Sequence, residues 1–92
     1  MVTALVFIRT DIDSVNAVAE TVAGIEGVSE VYSVTGDLDL VALVRVGSLD
    51  DISAVVTDGI AKVEGILTTE THIAFRTYSR HDLESAFAIG LD

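Results

Sequence analysis

Two short stretches limit what this chain can fold into. Ala4–Ile8 reads Ala-Leu-Val-Phe-Ile and Leu40–Val44 reads Leu-Val-Ala-Leu-Val, each five apolar residues without a polar break. Successive side chains of a strand point to opposite faces, so strands of this kind are apolar on both. In the first, Leu5 and Phe7 oppose Ala4, Val6 and Ile8. In the second, Val41 and Leu43 oppose Leu40, Ala42 and Val44. An antiparallel sheet covered on one side alternates apolar with polar residues. Here, whichever set meets a covering layer, the other set needs a cover of its own.

The chain offers little from which to build that cover. Its 92 residues make one domain, residues 1–92, and a domain of this size buries roughly 60–65% of the surface its unfolded form exposes. Half of the residues are apolar, enough for a packed core, while 5 Lys and Arg stand against 15 Asp and Glu for a net charge of −10. Phosphate binding draws on Lys and Arg, so direct contact with nucleic acid is not expected, nor is docking on anionic membranes. Cysteine is absent, which excludes a disulfide framework, a thiolate nucleophile and Cys-ligated zinc. The apolar runs fall far short of the ~20 residues of a transmembrane helix, and the first ten residues lack the basic start and long apolar stretch of a signal peptide. A soluble, cytoplasmic domain is expected.

The remaining pattern supplies the elements. Val2–Arg9 is a buried strand. Thr10 or Asp11 can cap a helix, with Asp13 or Ser14 in its first turn, and Val15, Val18, Ala19 and Val22 fall on one helical face. Gly24 ends it, in the left-handed conformation that glycine allows. Val28–Thr35 and Leu38–Val46 are two strands joined at a tight Gly36-Asp37 turn. Ser48-Leu49-Asp50-Asp51 has the form of a helix start. The helix that follows buries Ile52, Val55, Val56, Ile60 and Val63, with Asp58 and Lys62 in the favourable order for an ion pair, and closes at Gly65. Thr68–Tyr78 is a fourth strand. Ser79-Arg80-His81-Asp82 then caps a short terminal helix through Leu83, Ala86 and Phe87, ending near Gly90. Ile25-Glu26-Gly27-Val28 and Val63-Glu64-Gly65-Ile66 form an internal repeat, each opening the strand after a helix.

Two copies of βαβ make an α+β, ferredoxin-like βαββαβ sandwich: a four-stranded antiparallel sheet in the order 4-1-3-2 with both helices on one face. Strands 1 and 3 are then central, and their second apolar face lies bare. The terminal helix, residues Arg80–Ile89, is too short to cover four strands. A symmetric homodimer, sheet on sheet, needs only one self-complementary surface. A dimeric α+β barrel is therefore expected, and an assembly of such dimers can follow.

Val31-Tyr32-Ser33-Val34-Thr35-Gly36-Asp37-Leu38-Asp39-Leu40, followed by an apolar strand, resembles the signature of the effector (RAM) domain of the Lrp/AsnC family of transcriptional regulators. In that family a Val-Thr-Gly-Asp-aromatic-Asp turn precedes such a strand, and Leu38 takes the place of the aromatic. Gly65-Ile66-Leu67-Thr68-Thr69-Glu70-Thr71-His72-Ile73 resembles the family's Gly-Val-x-x-Thr-x-Thr-x-Ile segment. The resemblance runs from Val2 to about Arg80 and begins within the first strand, so it is to the family's stand-alone effector domains, without a helix-turn-helix of their own. It implies a non-enzymatic domain with a small ligand, typically an amino acid, held between dimers in a ring, acting as an amino-acid sensor or as a modifier that assembles with full-length regulators. The matching ligand-binding positions are Thr35, Gly36, Asp37, Leu38, Asp39, Thr69 and Thr71. Their chemistry is compatible: a glycine admits close backbone approach, free turn N–H groups can receive a carboxylate, and Asp37 or Asp39 can pair with an α-ammonium. The bland alternative is an ordinary Gly-Asp turn, with Asp39 facing solvent and threonines that simply suit a strand.

Other candidates carry less. His72 and His81 lack metal-ligand spacing and no cofactor is implied. Arg9 and Arg45, placed near the C-terminal ends of two central strands taken as mutually parallel, could hold an anion or simply pair with Asp11 or Asp39. Asp11, Asp13, Asp50 and Asp51 read as helix-start charges. Ser33, Ser48 and Ser79 lack a His–acid arrangement for nucleophilic catalysis. Two rival functions remain. One is a dimeric α+β-barrel enzyme, such as a small monooxygenase or a haem-degrading enzyme with His72 as the lone ligand. The other is a structural assembly module without a ligand.

Overall fold

In a computed structural model, which describes residues 1–80, the chain forms β1 (Val2–Thr10), α1 (Val15–Ala23), β2 (Val28–Ser33), β3 (Leu40–Val46), α2 (Leu49–Ser53) and β4 (Ile66–Ala74). α2 widens into a π-helical turn, Ala54–Gly59, and ends in a 3₁₀ turn, Ile60–Lys62. The sheet order is β2-β3-β1-β4 with every neighbouring pair antiparallel. The expected ferredoxin-like topology is therefore present. The terminal helix expected beyond Ser79 lies outside the described residues, as does His81.

The register decides which apolar set is covered. Ala4, Val6 and Ile8 pair with Val44, Ala42 and Leu40, and all six are fully buried beneath Val18 and Val22 of α1 and Ile52, Val55 and Ile60 of the second helical segment. The π turn, with its i→i+5 hydrogen bonds, lets Ile60 return to the buried side five residues after Val55. A bulge in β2 shifts the pairing between Val28 and Glu30. Val28 and Val31, three apart, both join the core side in consequence.

The internal repeat has a structural meaning. Gly27 and Gly65 both take positive φ, 98° and 99°, and each lies against the opposite helix. A Cβ on Gly27 would stand 2.8 Å from Val55 Cγ2, and one on Gly65 2.9 Å from Ser14 Cβ. Only a residue without a side chain lets each strand start so close beneath the neighbouring helix.

Several boundaries differ from expectation for local reasons. Thr10 continues β1, so α1 starts later, with Ser14 at its N-cap, no side-chain cap and no acid in its first turn. Asp11 and Asp13 precede the helix and Asp11 instead accepts the Ser14 N–H through its carbonyl, 3.0 Å. Gly24 does end α1 but at φ −84°, its N–H shared between the Glu20 and Thr21 carbonyls as in an ordinary helical residue; the left-handed turn falls three residues on, at Gly27. The second cap is as expected, with Ser48 Oγ accepting the Asp51 N–H at 3.2 Å. The β2–β3 connection is six residues, 34–39, rather than a two-residue turn. β4 starts two residues before the expected Thr68 and stops at Ala74, four before Tyr78.

Candidate functional site

β1 and β3 run antiparallel, which corrects the placement of Arg9 and Arg45 at a common end. Arg45 pairs with Thr3 at one end of the sheet and Arg9 with Thr68 at the other. Both are exposed, and among the described residues neither pairs with Asp11 or Asp39.

The face away from the helices is built by the same register. Leu5 sits between Leu43 and His72, and Phe7 between Val41 and Glu70. On the β2 side Tyr32 and Glu30 flank Val41 and Leu43. Leu5, Phe7, Val41 and Leu43 are half-buried by their neighbours and stand outside the core cluster. The rim is organised. His72 Nε2 lies 3.2 Å from Glu70 Oε2, and the His72 ring meets Phe7 edge-on, centroids 5.0 Å apart at 84°. Across the sheet, a hydrogen bond to Glu30 raises the Tyr32 phenol above its ordinary pKa, with lesser contributions from desolvation and from the Glu30 charge and a small opposing effect of Arg45. Arg9 and Arg45 balance Glu30 and Glu70 on the paired positions of this face. It carries no net charge on a chain of net charge −10.

The residues matched to ligand binding divide into two groups. Thr35, Gly36 and Asp37 are exposed at the tip of the 34–39 loop, and Leu38 and Asp39 are half-buried at its base. Gly36 has φ 103° with open space where a Cβ would be. Asp39 does not simply face solvent. Its Oδ2 accepts the Thr10 N–H at 2.9 Å, its N–H bonds the Ile8 carbonyl at 3.0 Å, and its carbonyl accepts from Val34 N–H at 3.1 Å. Asp39 thus ties the loop to the end of β1, and among the described residues the Asp37 carboxylate has no such tie. Thr69 and Thr71 pair with Ile8 and Val6 and so lie on the helix side of edge strand β4, not on the bare face. Thr69 is half-buried and Thr71 exposed. The loop and Thr69 stand at the same end of the sheet, across β1 from each other, roughly 10 Å apart by strand spacing.

An open hollow of about 430 Å³ is lined by Ala17, Ile25, Gly59 and Lys62 among others, and a second of about 480 Å³ by Glu26, Arg45 and Asp51 among others; neither includes a matched residue. The Asp39–Thr10 tie and the Glu70–His72–Phe7 cluster were missed from sequence. The second was within reach: once the strand order is set, alternation alone puts positions 5, 7, 70 and 72 on one face. Among the described residues no helix is long and apolar enough to cross a membrane.

A ferredoxin-like sheet with helices on one side and an apolar, charge-balanced second face defines an effector-type α+β domain. The sequence profile of the Lrp/AsnC ligand binding domain matches residues 3–83, and the chain belongs to that family of transcriptional regulators. It is 38% identical over 78 residues to the uncharacterized HTH-type transcriptional regulator PH1916 of Pyrococcus horikoshii, a match spanning 82% of this chain and 52% of that protein. The chain thus spans about half the length of the curated relatives it matches. The crystal structure of TTHA0845 from Thermus thermophilus is 50% identical, with a TM-score of 0.82, and covers 87% of this chain and all of that one. The regulator NMB0573 of Neisseria meningitidis, solved as a complex with L-Met, shares the fold at 15% identity and a TM-score of 0.76 over 86% of this chain and 53% of its own.

Proposed function

We propose that this chain is a non-enzymatic ligand-binding and assembly domain acting in transcriptional regulation. Two copies pair through their bare sheet faces. Dimers associate further around an amino acid held by the 34–39 loop and β4. One observation carries the first half: the face holding Leu5, Phe7, Val41 and Leu43 is apolar, ordered at its rim and neutral, on a chain whose remaining surface is strongly acidic. Like-charged surfaces repel, so a neutral face is where a second copy can approach.

The second half is supported by the separation of the matched residues into two groups that need a neighbouring molecule to form a pocket. Loop N–H groups around Gly36 suit a carboxylate, Asp37 an ammonium and the exposed Thr71 hydroxyl either. The L-Met of the N. meningitidis regulator is consistent with that class of ligand. Ligand uptake between dimers shifts the assembly equilibrium by its differential affinity for the two states, and the same surface admits a full-length regulator of the family as partner.

A thermal-shift panel of the twenty amino acids at millimolar concentration tests the ligand. A ligand at a hundredfold excess over Kd adds about 2.7 kcal/mol, roughly 10–20 °C for a domain of this size. Asp37→Ala and Thr71→Val, both at exposed positions, should leave the free protein's Tm unchanged and abolish the shift. If no amino acid raises Tm, ligand binding is refuted while the assembly role stands.

A further inference from the structure

We infer that Leu67 and Ile12 select the side chain of the ligand, so that the amino acid taken up by this domain is an aliphatic one. This rests on the ligand-binding reading proposed above and names the class of ligand within it. Leu67 is the extra residue of a β-bulge: Arg9 pairs with Thr68 and Thr10 with Ile66, and Leu67 is passed over. A bulge bends its strand and re-aims the side chain at that point. Here it leaves Leu67 61% exposed, two residues before Thr69, one of the positions matched to ligand binding.

Hydrogen bonds join this leucine to the matched loop and to a second aliphatic residue. Asp39 of the 34–39 loop accepts the Thr10 N–H at 2.9 Å, and the next residue, Asp11, donates its own N–H to the Gly65 carbonyl at 2.9 Å. The loop, the end of β1 and the start of β4 are thus tied in series at one end of the sheet. Ser14 closes the 11–14 turn against Gly65, where an added Cβ would stand 2.9 Å from the Ser14 Cβ. Ile12 lies between these two tied points and is 90% exposed. One exposed leucine is ordinary on a protein surface. Two large aliphatic side chains at the corner that holds Thr69, one of them turned outward by a bulge, form an apolar wall beside the matched positions. The loop N–H groups and Asp37 suit the α-carboxylate and α-ammonium, which leaves the wall to the ligand's side chain. Asp11, Asp13 and Asp37 are exposed around it and repel a ligand that carries a second carboxylate.

Isothermal titration of the whole chain with L-leucine, L-alanine, L-lysine and L-glutamate tests this. L-Leucine should bind more tightly than L-alanine by about tenfold or more, the discrimination that added methylenes give in an apolar pocket, and L-glutamate should bind most weakly. Leu67→Ser combined with Ile12→Ser, both at exposed positions, should leave the free protein folded with its Tm close to wild type. The same pair should weaken L-leucine binding by about tenfold and leave L-alanine binding nearly unchanged. A loss of stability alone would weaken both ligands equally. Tighter binding of L-lysine or L-glutamate than of L-leucine overturns the inference while ligand binding stands, and so does a leucine preference that survives the double substitution. If no amino acid of the thermal-shift panel binds, the proposed ligand and its selection fall together.

Discussion

Leu5→Asp separates the requirements of the subunit from those of the assembly. Leu5 lies at the middle of central strand β1, between Leu43 and His72 on the bare face. In a lone subunit the new carboxylate reaches water beside the His72 ring. The cost there is that of a half-exposed leucine and a poor strand former, about 1–2 kcal/mol. In the dimer the same carboxylate is buried, and symmetry buries it twice. Each unpaired ion costs several kcal/mol after relaxation, and the lost apolar contact adds about 1 kcal/mol per subunit. A total of at least ~4 kcal/mol raises the dimer Kd by about 10³. Sedimentation velocity over a concentration series reads that change, and far-UV circular dichroism checks that the subunit is still folded. Leu49→Asp, at the exposed start of α2 on the opposite layer, should leave Kd unchanged. A folded Leu5→Asp protein whose Kd stays within tenfold of wild type would refute the assignment of this face.

Other expectations concern the subunit itself. Gly27→Ala and Gly65→Ala each combine a positive φ with a Cβ driven against the neighbouring helix, and should cost about 3 kcal/mol by denaturant titration, whereas Gly36→Ala, at φ 103° in open space, should cost about 1. Asp39→Ala removes the acceptor of the Thr10 N–H and should lower stability by roughly 1–2 kcal/mol, while Asp37→Ala leaves it unchanged. Ser48→Ala should cost about 1 kcal/mol through loss of the α2 cap. Because Glu30 accepts from the Tyr32 phenol, that phenol should deprotonate above its ordinary value in an absorbance titration. The bond persists below that pH and is lost as pH rises through the raised value, and Glu30→Gln should bring the titration back down.

How far the sequence alone reached depended on whether a feature was periodic or local. The doubly apolar strands, the repeat around Gly27 and Gly65 and the order of elements are set by patterns along the chain, and they were sufficient for strand order and for the bare face. Element ends were harder to place. Thr10 is as suitable for a cap as for a strand, and it was drawn into β1 by Asp39, 29 residues away. Tyr78 and Phe75 are good strand formers, yet the β1–β4 pairing ends at Thr3 and Ala74, and β1 itself extends only one residue further, to Val2. The relative direction of β1 and β3 follows from the topology itself: a hairpin reverses the second βαβ unit against the first, so the two arginines part company. The matched loop was legible as a motif, whereas the division of labour between Asp37 and Asp39 depends on a backbone N–H that no motif records.

Sedimentation equilibrium of the unmodified protein, from nanomolar to high micromolar concentration, addresses self-association through the sheet most directly. The mass should be an even multiple of 9.7 kDa, with cooperative unfolding whose midpoint rises with protein concentration. A folded species of 9.7 kDa throughout, with a concentration-independent midpoint, would contradict it.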